Sequence, residues 1–286
     1  NEVGLPLTIF NIDDTTDIAI LEMGTSSFGE ISNLSKIAKP DICVITNIGT
    51  AHIETLCDAE GILKAKSEIF DYMKPNGIAV LNYDDKMLRS LSNKIDNIFF
   101  YSLENKSSDS DKFFYADNIK YNDIYSVSFD AINNNEKINV NVPATGKYMV
   151  YNALVSIIIG KYFNMSKNDI IDGILNFKPS KNRFDIIKTD KYTIINSVYN
   201  ANPDSMKAII DVLCYTSKRK ICILGDMLEL GNHAEEFHLD IGKYAIMKNI
   251  DVLECIGELS YKIYEGALLQ QNSYKSNSEV FYFRTK

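Results

Sequence analysis

The chain has 286 residues, a formal net charge of −8, and 45% hydrophobic and 24% charged residues. That is enough chain to bury the cores of two α/β domains, and the acidic balance excludes a general attraction to phosphate backbones, so no nucleic-acid partner is expected. The longest apolar runs, such as Ile18 to Met23 and Val155 to Ile159, fall far short of the roughly 20 residues that cross a bilayer, so no membrane partner is expected either.

Asn1-Glu2-Val3-Gly4 reads as a segment begun inside a domain, without a charged-then-apolar leader. A cytoplasmic placement and a monomer are expected. Five cysteines, an odd number without a C-x-x-C pair, point to reduced thiols, and Cys43, Cys222 and Cys255 lie in apolar, strand-like runs.

Strand-like apolar runs alternate with segments of helical period, the pattern of an α/β fold with a parallel sheet. Asp17 to Met23 reads as a buried strand, Ile31 to Ala38 as a helix, Asp41 to Ile48 as a strand, Gly61 to Met73 as a helix and Ile78 to Asn82 as a strand. Pro40 and Pro75-Asn76-Gly77 punctuate them. The Ser107 to Asp111 stretch reads as a mobile loop. From Phe113 to Val142 the period becomes two, with an Asn133-Asn134-Asn135 turn, which predicts an antiparallel excursion. Helices are expected over Tyr151 to Phe163 and Lys167 to Phe177, the second capped by Ser166.

The polar link Lys178 to Asn182 sets a domain junction near residue 180, dividing residues 1–180 from a second α/β domain over 181–286. There the expected order is strand Thr193 to Ser197, helix Asp204 to Leu213, strand Lys220 to Leu224, helix Glu235 to Met247, strand Val252 to Ile256 and helix Leu259 to Leu269.

Open α/β sheets bind ligands beyond the carboxyl ends of their strands. Those positions hold Glu22-Met23-Gly24, then Thr46-Asn47-Ile48-Gly49 with Ala51-His52-Ile53-Glu54, then Gly225-Asp226-Met227-Leu228-Glu229-Leu230-Gly231. Singly these residues have plain readings: Glu22 as a helix cap, His52 as a hydrogen-bonded structural histidine, Lys66 as a solvated side chain. Magnesium also prefers oxygen donors to imidazole.

Together they resemble a family. Glu22-Met23-Gly24 with Phe28-Gly29-Glu30-Ile31, Ile45 to Gly49 with Ala51 to Glu54, and Gly61-Ile62-Leu63-Lys64-Ala65-Lys66 look like successive blocks of the Mur ligase central domain. Tyr199-Asn200-Ala201-Asn202-Pro203-Asp204-Ser205-Met206 and Leu224 to Gly231 are similar to its C-terminal, Rossmann-like domain.

The resemblance covers essentially the whole chain and implies an ATP-dependent amide ligase of peptidoglycan synthesis, with UDP-N-acetylmuramoyl-tripeptide and D-alanyl-D-alanine as substrates. It implies ATP and Mg2+ as cofactors, with Glu22, His52 and Lys66 at the metal, Lys66 as a carbamylated lysine, and Lys66 and His52 as the catalytic pair. Asn152 and Arg183 match the family's adenine-contacting asparagine and nucleotide-reaching arginine, and Asn47, Tyr199 and Asn202 join the nucleotide side. By the same resemblance Glu22, His52 and Lys66 are expected to converge at the carboxyl edge of the first sheet.

Departures accompany the match. The family's Gly-rich loop ending in Lys-Thr or Lys-Ser is not among these residues, nor is its UDP-binding first domain, and a further helix and strand are expected beyond Phe281-Tyr282-Phe283. Ser197 stands where the family usually has aspartate, and Tyr148 where it has histidine. A catalytically decayed homologue acting as a binding protein, and a sister ligase such as folylpolyglutamate synthetase, are the alternative readings. The polypeptide alone is expected to show no ligation.

Overall fold

The computed structural model describes residues 1–50, 53–106, 110–134, 136–180 and 182–285. They form two compact units, Asn1–Tyr115 and Ala116–Lys286.

The first unit carries α1 (Gly4–Ile9), α2 (Glu30–Ala38), β1 (Ile42–Ile45), α3 (Ile53–Leu56), α4 (Ala59–Ser67) continuing as a 3-10 turn to Phe70, β2 (Ile78–Asn82), α5 (Lys86–Arg89), β3 (Ile98–Ser102) and the start of β4 (Phe113–Asn122). These strands run parallel in the order β1-β2-β3-β4. β2 is buried at all five positions, as an inner strand of a parallel sheet covered on both faces should be.

The helices take their places through particular side chains. α2 buries Ile31 and Leu34, and the Glu68 carboxylate accepts the Gly29 and Ser32 amides at its N-terminus (2.8 and 3.2 Å), where negative charge complements the helix dipole. Asp58 caps α4 by accepting the Gly61 amide. Gly61 itself is required by close approach, since a Cβ there would lie 1.9 Å from the Leu56 carbonyl oxygen.

One expected element is absent. Residues 17–23 form no strand, and Ile18 and Ile20 are exposed, Ile20 at 90%. A run of apolar residues becomes a strand only when a neighbour takes up its backbone N–H and C=O groups; among the described residues β1 pairs with β2, and nothing pairs with 17–23. Glu22 therefore stands in an irregular segment, not at a strand end. β3 is an addition that the sequence reading lacked.

The second unit opens with the remainder of β4, then β5 (Ser126–Asn133) and β6 (Glu136–Val142). β5 and β6 are antiparallel over the expected excursion, and Asn134 turns the chain at φ 47°. Asp130, on β5, is buried and accepts hydrogen bonds from Asn118 Nδ2 (2.7 Å), Asn139 Nδ2 (2.9 Å) and the Lys137 ammonium (2.7 Å). These partners, the Asn139 amide first, hold its carboxyl down at about 2.

α6 (Lys147–Tyr162) and α7 (Lys167–Leu175) follow, with Ser166 accepting the Asp169 amide as the expected cap. β7 (Asp185–Lys188) and β8 (Thr193–Asn196) make a separate antiparallel pair. The Thr193 strand therefore belongs to a hairpin, not to a parallel sheet: Thr189, Lys191 and Tyr192 close a tight turn that brings it straight back on β7.

Beyond it, α8 (Pro203–Leu213), β9 (Ile221–Gly225), α9 (Ala234–Met247), β10 (Val252–Ile256), α10 (Tyr261–Tyr274) and β11 (Glu279–Phe283) alternate, with β11-β10-β9 parallel. Met206, Ile210, Cys222, Ile241, Leu253, Cys255 and Ile263 share the core of this part. Ile124, Phe184 and Val212 share a second cluster with Tyr148, Ile186 and Ile195. Cys43, Cys222 and Cys255 are buried, and burial pushes each thiol up to about 12. Among the described residues no helix is long and apolar enough to cross a membrane.

Candidate active site

The carboxyl ends of β1, β2 and β3 are tied together by side chains that reach from one strand end to the next. The buried Tyr101 hydroxyl, at the end of β3, donates to the Thr46 carbonyl just past β1 (3.2 Å). Burial, then the charges of Asp85 and Asp84, raise its phenol pKa. Asp85, just past β2, accepts the Ile48 amide with Oδ2 (2.8 Å) and the Met87 and Leu88 amides with Oδ1, which caps α5. Asp84 accepts Ser102 Oγ (2.5 Å) and the Leu103 amide (2.7 Å).

Lys66, in the last turn of α4, points at this edge. Its ammonium donates to the Asn47 carbonyl (2.7 Å) and the Ile48 carbonyl (3.3 Å). The plain reading of a solvated side chain is thereby replaced: a half-buried cation sits on main-chain oxygens in the loop after β1. Lys66 and Asn47 thus come together, while Glu22 is exposed in its irregular segment. His52 lies outside the described residues. Among those described, no group of three or more His, Cys, Asp or Glu side chains is gathered as a metal site.

In the second unit Asn152 is exposed on α6. The Arg183 guanidinium stacks 3.9 Å from the centre of the Tyr199 ring, and the Tyr199 amide donates to the Asn182 carbonyl. Asn202 forms a capping box with Ser205 at the start of α8, and Pro203 occupies the first turn. Tyr148 meets Phe184 edge to face, and burial raises its phenol pKa.

The 225–231 loop is held by hydrogen bonds to Ser260 and to His238. Asp226 accepts both the amide and the hydroxyl of Ser260 (2.7 Å each); burial opposes its ionisation, but these bonds and the Leu259 amide hold its carboxyl below the usual range. Gly257, at φ 123°, leaves room for that carboxylate: a Cβ there would meet Asp226 Oδ1 at 2.3 Å. Completely buried His238 accepts the Met227 amide at Nε2 (2.9 Å) and donates from Nδ1 to the Ala234 carbonyl (2.6 Å). A carbonyl can only accept, so the network assigns the neutral Nδ1–H tautomer, and burial lowers the His238 pKa.

Against this geometry the comparisons with known proteins are decisive. The model of the Mur ligase middle domain matches residues 1–160, and that of the Mur ligase glutamate ligase domain matches 182–285. The chain belongs to the Mur ligase family.

Among Mur ligases, it is 37% identical over 274 residues to the UDP-N-acetylmuramoyl-tripeptide--D-alanyl-D-alanine ligase of Bacillus subtilis (strain 168), covering 94% of this chain and 57% of that protein. It is 28% identical over 264 residues to the Escherichia coli (strain K12) protein of the same name, covering 92% and 58%. The chain thus spans little more than half the length of these relatives. Crystal structure I of MurF from Acinetobacter baumannii superposes with a TM-score of 0.86 at 26% identity, covering all of this chain and 65% of that one. MurF ligase from Thermotoga maritima in complex with ADP gives 0.81 at 25% identity, covering 99% and 67%. The middle-domain region holds Glu22, Asn47, Lys66 and Asn152, and the glutamate ligase region holds Arg183, Tyr199 and Asn202.

Sequence reasoning passed over Tyr101, Asp84, Asp85 and His238. The two acids were detectable, as Tyr83-Asp84-Asp85 directly follows a well-marked strand. Tyr101 lay in the one strand of that sheet left unread, and His238 falls mid-helix, without a local pattern.

Proposed function

We propose that this chain is the central and C-terminal part of an ATP-dependent, ADP-forming amide ligase that joins D-alanyl-D-alanine to UDP-N-acetylmuramoyl-tripeptide through an acyl phosphate. Residues 1–180 form the central region and 181–286 the C-terminal one. The observation that carries the reading is the match of both family regions, in order, to proteins bearing that name, one of whose structures holds ADP.

Lys66, Glu22 and His52 are the groups proposed to hold Mg2+. The Lys66 ammonium is itself a cation resting on two carbonyl oxygens, the hard donors that magnesium takes; as an ammonium it has no lone pair to give, and addition of CO2 to the deprotonated amine, with release of a proton, turns it into a carbamate whose oxygens can ligate. Bound magnesium would neutralise phosphate charge during phosphoryl transfer. Asn152 offers an exposed amide to the base. Stacking on Tyr199 presents the Arg183 guanidinium as an ordered plane for phosphate, and Asn47, Tyr199 and Asn202 shape the loops on the nucleotide side. The molecule works as a monomer in the cytoplasm.

A chimera tests this reading. The aligned 94% of this chain replaces its counterpart in the Bacillus subtilis relative, and the ligated product is followed by mass spectrometry. Product that requires ATP and both substrates, and that is lost in Lys66→Met, is expected. An inert but folded chimera refutes the ligase and leaves the decayed homologue, the reading favoured by Ser197 and by Tyr148, which is engaged in packing against Phe184.

A further inference from the structure

The loop after β1 is gripped at both ends of a single peptide group. The amide of Ile48 and the carbonyl of Asn47 belong to the same planar unit; its N–H is held by Asp85 Oδ2 at 2.8 Å and its C=O by Lys66 Nζ at 2.7 Å. Fixing the N–H fixes the direction of the C=O. A carboxylate accepting at one end also polarises the amide and strengthens the carbonyl as an acceptor at the other.

We infer that Asp85 is a positioning residue for Lys66: by holding the Asn47–Ile48 peptide, it aims a main-chain oxygen at the lysine amine. Its two oxygens have separate duties. Oδ1 caps α5 through Met87 and Leu88, and Oδ2 alone takes Ile48. Tyr101 anchors the Thr46 carbonyl, which belongs to the preceding peptide group, and its hydrogen bond there serves as a built-in control on the same loop.

The inference deepens the reading of Lys66 as a site residue, and its readout needs neither nucleotide nor substrate, so its failure is separable from failure of the ligase reading. Asp85→Ser retains a side-chain oxygen of the kind that caps helices and removes the second one. The full chain is labelled with an N-hydroxysuccinimide ester at fixed pH in CO2-free buffer, which keeps Lys66 as the free amine, and Lys66 acylation is measured by peptide mass spectrometry against the exposed Lys218. Loss of one hydrogen bond is expected to raise the Lys66 rate about five-fold, with the thermal midpoint held; Tyr101→Phe leaves the rate near that of the parent. Asp85→Asn, whose single carbonyl oxygen cannot serve both duties, is the second variant if the serine form fails to fold, and it too is expected to speed labelling. An unchanged rate in whichever Asp85 variant folds, or an equal rise in Tyr101→Phe, overturns the inference.

Discussion

Replacing His238 by phenylalanine keeps a planar ring of similar size in a fully buried position and deletes both of its hydrogen bonds. The phenyl ring is somewhat larger than imidazole, so no cavity is left and the main cost comes from polarity. The Met227 amide, beside a side chain that is itself completely buried, loses its acceptor, and an unsatisfied buried donor costs about 1–3 kcal/mol. The Ala234 carbonyl retains helical partners and adds little. His238→Phe should therefore destabilise the second unit by about 2 kcal/mol, read as a lower urea midpoint at unchanged slope. Hydrogen exchange should place the lost protection at the Met227 amide.

The same substitution has a pH signature. Burial lowers the His238 pKa, so the unfolded chain takes up the proton first as pH falls below about 6.5. Stability from this group is then present above that pH and is lost below it. The parent should lose stability between pH 7 and 5.5 more steeply than His238→Phe. A variant as stable as the parent at neutral pH, with an identical pH profile, would refute the assignment of His238 as the neutral acceptor of the 225–231 loop.

Two further outcomes follow from the same kind of reasoning. Gly257→Ala places a Cβ 2.3 Å from Asp226 Oδ1 at a backbone angle that side chains avoid; it should cost about 3 kcal/mol, measured as a fall in the melting temperature. Asp130→Asn exchanges a charged acceptor for a mixed amide facing two amides and an ammonium, at a cost of about 2 kcal/mol. Because the Asp130 carboxyl is held down at about 2, its stabilisation is full above the ordinary carboxylate range and fades as pH drops from about 4 toward 2; an acid titration of Asp130→Asn should lack that component.

Most of the secondary structure was legible because its causes are local. β2 and β10 were read with the boundaries that form, since both are short, mostly apolar runs of the kind that inner parallel strands favour. The Ser166 cap was read from residue type and position alone. What failed depended on partners: 17–23 has the composition of a strand but no neighbour, and β8 looks like a parallel strand until the hairpin with β7 is seen. In the candidate site, Lys66 and Tyr199 were put forward from the blocks around them and Arg183 from its position at the domain junction. That Lys66 would rest on main-chain carbonyls was not legible, because such contacts depend on the path of the backbone. Asp226 illustrates the converse: a carboxylate at a strand end, promising as a ligand, is committed to Ser260.

The grip on Lys66 has an evolutionary corollary. Oxygens of the peptide backbone are supplied by every amino acid alike, so drift at position 48 that preserves the path of the loop leaves the lysine seated. Selection on the amine itself should then fall on the lysine, on the acid behind the peptide and on the glycine that lets α4 come close, while the side chain at position 48 answers to the core in which it is buried.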